Sequence, residues 1–252
     1  MILKGICNVI EADCGFVGLY SCVVVCFGAS FGVQINRTLS IRLSRLREGP
    51  QEMPRGTVVL IVSGDTEVCE AELLAGKFNC PSCNGVLRPW GYARSRTVRM
   101  LENTKTLRPR RSRCSACSKT SVFLPNYLLV RRVDEASVIG LALTQKSQGS
   151  GYKKVAFNIS RPATTVRGWI RRFREKSEMV LAHFISWALA LDATLTEIGS
   201  LGSSFSDALC AIGIAARSAS IRFGPGPPWS QMSAMCGGML LCNTSSPFPL
   251  PG

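Results

Sequence analysis

Four cysteines carry the clearest chemistry in the sequence. Cys80-Pro-Ser-Cys83 and Cys114-Ser-Ala-Cys117 are two C-x2-C pairs separated by 30 residues. A tight C-x2-C turn aims two sulfurs at one point. A second pair completes a tetrahedral set of four thiolates, the donor set that suits zinc. The separation exceeds the about 15–20 residues of commoner sites. A long hairpin between the pairs is therefore expected, with strands over 86–92 and 106–113 and a turn at 102–105. Asn84-Gly85 supplies residues tolerant of positive φ. Four Cys leave no open coordination position, so the expected cofactor is one structural Zn2+ with no catalytic role. The competing reading is a thiol–disulfide pair. That motif normally uses one pair in a strand–helix setting, not two. Of the other eight Cys, Cys7, Cys14, Cys22 and Cys26 lie in an apolar N-terminal stretch, and Cys69, Cys210, Cys236 and Cys242 are isolated. No disulfide framework is evident, which points to a reducing compartment.

The charge is concentrated around those cysteines. The chain of 252 residues carries 30 Lys+Arg against 16 Asp+Glu, net +14. Residues 77–117 are net +9 and residues 118–180 net +8, while both ends are near neutral. Such a surplus points to a polyanionic partner. Arg88, Arg94, Arg96, Arg99, Lys105, Arg108, Arg110, Arg111 and Arg113 lie between the cysteine pairs, beside Trp90 and Tyr92. Arginine offers bidentate phosphate contacts and aromatics can stack on bases. Packing within the small hairpin is the plainer use for the two aromatics.

Helices must follow. Asp134 is a candidate N-cap. Val138, Ile139, Ala142 and Leu143 recur with helical spacing, and Gly149 and Gly151 end that helix. Ser150 is a candidate cap for a short second helix over 152–158. Pro162 suits the first turn of a third, in which Val166, Trp169, Ile170 and Phe173 form an apolar stripe. The opposite face holds Thr164, Thr165, Arg167, Arg171, Arg172 and Arg174. A short helix, a tight turn and a helix with small polar residues first and arginines after is the pattern of a helix-turn-helix with its recognition helix. The expected DNA contacts are Thr164, Thr165, Arg167, Arg171, Arg172, Arg161 and Lys153, with Arg108, Arg110 and Arg111 from the hairpin. Arg167 is the candidate base reader.

Three stretches, LLAGKFNCPSCNGVLRPWGYARSRTVR, LRPRRSRCSACSKTSVFLPNYLLVRR and RPATTVRGWIRRFR, resemble a bacterial family of uncharacterised zinc-ribbon plus helix-turn-helix proteins. The arrangement is also similar to the DNA-binding front ends of insertion-sequence transposases. The resemblance covers roughly residues 55–245, and the cysteine region and the TVRGW segment are its most specific parts. It implies zinc ligation by Cys80, Cys83, Cys114 and Cys117, and DNA binding. The chain lacks the His that many relatives carry near Lys119-Thr120-Ser121, which leaves the four ligands untouched.

The flanks are less informative. Residues 1–52 are an extension open to three readings: artefactual or disordered, with translation starting at Met53; a membrane segment over residues 14–36, followed by Arg37, Arg42, Arg45 and Arg47; or an ordinary buried element. Residues 53–76 read as a strand and a helix capped by Asp65, bracing the cysteine region. A helical region spans 179–224 and a Pro/Gly-rich tail 225–252. Packing on the helix-turn-helix, or a homodimer, is the use expected for 179–224.

The fold class expected is α+β: a small four-Cys zinc ribbon of β-hairpins over 77–127, a helix-turn-helix over 131–178, and further C-terminal helices. The function expected is a zinc-containing DNA-binding protein of the nucleoid in the cytoplasm, a transcriptional regulator or transposase-related factor binding double-stranded DNA. A transposase remnant or subunit, or an RNA-binding zinc-ribbon protein, is the alternative. No enzyme is expected. From Glu175 onward only five carboxylates remain, Glu175, Glu178, Asp192, Glu197 and Asp207, too little for a metal-dependent strand-transfer core. A single His, His183, argues against His-dependent catalysis, and no Gly-rich phosphate loop or small-molecule site is legible.

Overall fold

A β-branched, apolar run makes Val58–Val62 a strand, β1. Asp65 then caps helix α1, Thr66–Leu74, accepting the backbone N–H groups of Glu67 at 2.9 Å and Val68 at 3.2 Å. The computed structural model describes residues 58–195 and 199–242, and all of them fall within one packed unit. Residues 14–36 lie outside them. No helix among the described residues is long and apolar enough to cross a membrane.

Five strands follow: β2 Leu87–Tyr92, β3 Arg96–Arg99, β4 Thr104–Leu107, β5 Arg110–Cys114 and β6 Thr120–Pro125. They form a four-stranded sheet in the order β1-β6-β5-β2 and a separate β3-β4 hairpin. The single long hairpin expected between the cysteine pairs is thus two hairpins, one at the tip of the other. Pro109 has no N–H to continue a ladder, and its carbonyl instead accepts Ala93 N–H at 2.8 Å. The turn lies at Met100–Asn103, so Thr104 and Lys105 are in a strand. β1 runs parallel to β6, with Leu60 opposite Phe123.

The helices are α2 Ala136–Ser147, α3 Tyr152–Asn158, α4 Ala163–Glu175, α5 Ser177–Leu191, α6 Ser204–Phe223 and α7 Pro228–Met235. The fold is therefore α+β. Ser203 caps α6 by accepting Ser206 N–H. Neither Asp134 nor Ser150 caps a helix: Glu135 and Gly151 occupy the N-cap positions of α2 and α3 without side-chain bonds. Asp134 is engaged elsewhere, as described below.

Three apolar clusters hold this together. One joins Val62, Leu73, Leu87 and Phe123 to the buried cysteines 80 and 114. A small one, Val98, Leu124 and Leu128, sits at the β3-β4 hairpin. The largest collects Val138, Ile139, Trp169, Phe173, Phe184 and Ile212, among others, from helices α2–α7. Each such large side chain contributes about 1.5–3 kcal/mol by leaving water. The expected Pro/Gly-rich tail begins too early in the sequence reading. Residues 228–242 pack instead, with Met232, Cys236, Leu240 and Leu241 buried.

Candidate functional site

Both cysteine turns are built alike. Asn84 N–H donates to the Cys80 carbonyl at 2.8 Å, and Ser118 N–H to that of Cys114 at 3.2 Å. Asn84 and Ser118, four residues after the first Cys of each turn, take positive φ of 58° and 60°. These turns bring all four Sγ atoms within 4.8 Å of one another. Cys80 and Cys117 are 3.7 Å apart, Cys83 and Cys114 3.4 Å. For an ion with bonds of about 2.3 Å to sulfur, tetrahedral sulfurs stand about 3.8 Å apart. The spacing fits a four-thiolate metal centre. None of the eight described cysteines is in a disulfide.

The surroundings favour thiolate at Cys114. The Cys117 and Ala116 N–H groups point at Cys114 Sγ, at 3.5 and 3.4 Å. The Cys117 amide, acting against burial, draws the Cys114 thiol down to about 6. Cys83 moves the other way. The Gly85 amide pulls it down, but hydrogen bonds shared with the Cys117 and Cys114 thiols carry it up to about 11. A crowded set that holds its protons unevenly is one in which a cation can replace them. Gly85 lies against the cluster: a Cβ there would stand 3.0 Å from Cys114 Sγ and 2.8 Å from Ala116 Cβ.

Beside the sulfurs runs a basic, aromatic face. Trp90 and Tyr92 are each half exposed (49%) rather than packed away. The Arg113 guanidinium lies 4.7 Å from the Trp90 ring centre, and Arg110 and Arg108 lie 4.7 and 5.1 Å from that of Tyr92. Of the hairpin arginines expected to meet DNA, Arg108 is exposed and Arg111 is half-buried. Arg110 is committed within the protein, gripping Glu70 of α1 through two bonds of 2.8 and 2.9 Å.

Arg161 is also committed. Its Nε donates to Asp134 Oδ1 at 2.6 Å, and Arg99 Nη2 donates to Asp134 Oδ2 at 2.7 Å. Arg161 further donates to the carbonyls of Met100, Ile159 and Ser160. Asp134 is fully buried. It therefore ties the β3-β4 hairpin to the turn between α3 and α4. Beforehand Asp134 shows only as half of an acidic pair, Asp134-Glu135, in a strongly basic tract.

Helix α4 divides cleanly. Val166, Trp169, Ile170 and Phe173 are buried, while Thr164, Arg167, Arg171 and Arg174 are exposed and Thr165 and Arg172 half-buried. The turn Ile159–Pro162, with Ser160 at φ 52°, joins it to α3. On α3, Lys153 is exposed. Thr164, Thr165, Arg171 and Arg172 line an open cleft whose other wall is Arg132, which precedes the helices. The sequence reading did not single out Arg132 for function. Lone His183 is packed, its Nε2 3.1 Å from the Met235 carbonyl, and burial holds it below its ordinary pKa.

Residues 80–169 match a family described as a domain of unknown function (DUF6431). The matched span opens at the first clustered cysteine and closes at Trp169 in α4. It contains all four sulfurs, the Asp134 hub and the α3–α4 turn, but only about a third of the chain. No curated protein and no solved structure matches the chain.

Proposed function

We propose that the chain is a zinc-containing DNA-binding protein, with 80–117 a zinc ribbon and α3–turn–α4 a helix-turn-helix. The observation that carries this reading is α4. Its apolar stripe is fully used inside the protein, and Thr164, Arg167, Arg171 and Arg174 face outward. In a major groove, Thr164, Thr165 and Arg167 would meet base edges, and Arg171 and Arg172 phosphates. The four-thiolate set takes one structural Zn2+, which fixes the β module and leaves no position for chemistry. Such a protein acts as a regulator or transposase-related factor on the nucleoid, in a reducing cytoplasm.

The test is selection of bound duplexes from random DNA by the zinc-loaded full chain. The expected result is an enriched motif, two-fold if the chain dimerises. Arg167→Ala should then cost about 1–3 kcal/mol on that motif and relax one base position. Equal loss on every sequence would make Arg167 a phosphate contact. Absence of any motif would remove the recognition-helix assignment.

A second reading rests on Trp90 and Tyr92. Half-exposed rings with arginines over them are also a surface for unpaired bases. Tighter binding to structured RNA than to duplex DNA, lost on replacing both rings, would favour an RNA-binding protein.

A further inference from the structure

Arg132 stands where a guanidinium gains little from the protein itself. It lies in the half-buried wall of the cleft facing α4, and its Nε is buried with no hydrogen-bond partner. Its Nη2 donates to the Leu241 carbonyl, a neutral acceptor. Burial and then the nearby charge of Arg172 both act against its protonated form. Arg171 is also in the cleft, and its one acidic neighbour, Glu175, is 3.9 Å away with both side chains largely exposed. Thr164, Thr165, Gly168 and Trp169 complete the lining. Among the residues lining the cleft there is no carboxylate.

Two further features build this arrangement. Gly168 sits mid-helix in α4, where glycine is a poor helix former. A Cβ there would stand 2.9 Å from Arg172 Nη1, so the far end of that side chain would have to shift to make room. The turn before Arg132 is strained: Arg132 N–H closes onto the Leu129 carbonyl at 3.1 Å, and Arg131 takes φ 60° at a position suited to glycine.

We propose that the cleft between Arg132 and α4 is a phosphodiester site, in which Arg132, from outside the helix-turn-helix, clamps the same backbone phosphate as Arg172 with Thr164 or Thr165. Guanidiniums of like charge held across a polar cleft are stabilised by an anion between them, and their planar forks match phosphate oxygens. The inference deepens the DNA-binding reading and rests on it for its ligand. It makes Arg132 a positioning contact that sets how α4 sits in the groove and that carries no base information itself.

The experiment is a salt titration of duplex binding with the full chain, comparing wild type, Arg132→Gln and Gly168→Ala. Loss of its phosphate contact should make the log K against log[salt] line shallower by about 0.9 in Arg132→Gln, and the displaced Arg172 should shift it the same way by less in Gly168→Ala. The affinity ratio between the selected and a random duplex should stay unchanged. Gly168→Ala should bind less tightly while its helix is more favourable, so a folding defect cannot imitate the result. Unchanged slopes in both variants overturn the proposal. Should the wild type bind no duplex, the DNA-binding reading fails, and inorganic phosphate at fixed ionic strength then decides on the cleft. A rise in Tm present in the wild type and lost in Arg132→Gln upholds an anion site. No rise in the wild type overturns it.

Discussion

The β module around the sulfurs and the helical region after Glu135 are stabilised by different means. In the first, the apolar cluster is small, and two of its buried members are cysteines that need a cation to become a permanent link. Its surface is guanidiniums laid over rings and one two-pronged pair to Glu70. In the second, Phe173, Phe184, Ile139, Leu143 and Met232 are fully enclosed hydrocarbon. The contrast teaches that a strongly charged segment short of apolar area has four clustered thiols on which ligation could act, while the helix that displays a charged face leans on a separate oily core.

The largest test of that contrast is metal removal. Chelation of the zinc-loaded chain, or Cys114→Ser, should abolish dispersed backbone NMR signals from residues 80–125. The helical circular dichroism of α2–α7 should survive. Structural zinc in small folds is worth about 10–16 kcal/mol, so no partial loss is expected. Joint collapse of both regions would show them to be one cooperative unit.

The hub that joins them comes next. Asp134→Asn leaves Arg161, nearly enclosed, without its carboxylate. Breaking a buried pair in this way should cost about 3–5 kcal/mol in urea unfolding. A loss below about 1 kcal/mol would mean that the junction is held by its backbone bonds instead. Smaller still, Trp90→Leu should cost the β module about 0.5–1 kcal/mol through the lost Arg113 stack, read as a Tm shift in the loaded protein.

The smallest effect belongs to the helical region alone. His183 is held below its ordinary value by burial. The folded chain therefore binds fewer protons than the unfolded one. Stability is complete above the unfolded value of about 6.5 and declines as pH falls through it towards the folded value. His183→Gln should flatten that part of the stability–pH curve, measured by urea unfolding at stepped pH.

How much of this was legible beforehand follows from range in the chain. Cys80, Cys83, Cys114 and Cys117 announce themselves by type and spacing, and their turns are local. The stripe Val166, Trp169, Ile170, Phe173 is likewise read within two helical turns, as is the Asp65 cap. What escaped depends on distant partners. The parallel pairing of Leu60 with Phe123 has no local signature. Arg161 and Arg110 look like any exposed arginine until Asp134 and Glu70 arrive beside them. Pro225-Gly226-Pro227-Pro228 and Pro247, Pro249 and Pro251 read as a tail, because the apolar residues Met232, Met235, Leu240 and Leu241 are too scattered to show a period.

The bond from Arg132 to the Leu241 carbonyl spans 109 residues, and Lys176 meets the Cys242 carbonyl 66 residues on. At about 5–20 residues per second, a ribosome emits the second partner of Arg132 roughly 5–20 s after the arginine itself. The cysteine turns, the hub and α4 are all born before the carbonyls that anchor the cleft's outer wall. The order of birth thus leaves Arg132 without this carbonyl until the chain has been made as far as Leu241. A chain that stops short of Leu241 carries the cysteine turns, the hub and α4 yet lacks the bond that holds Arg132 against the C-terminal segment.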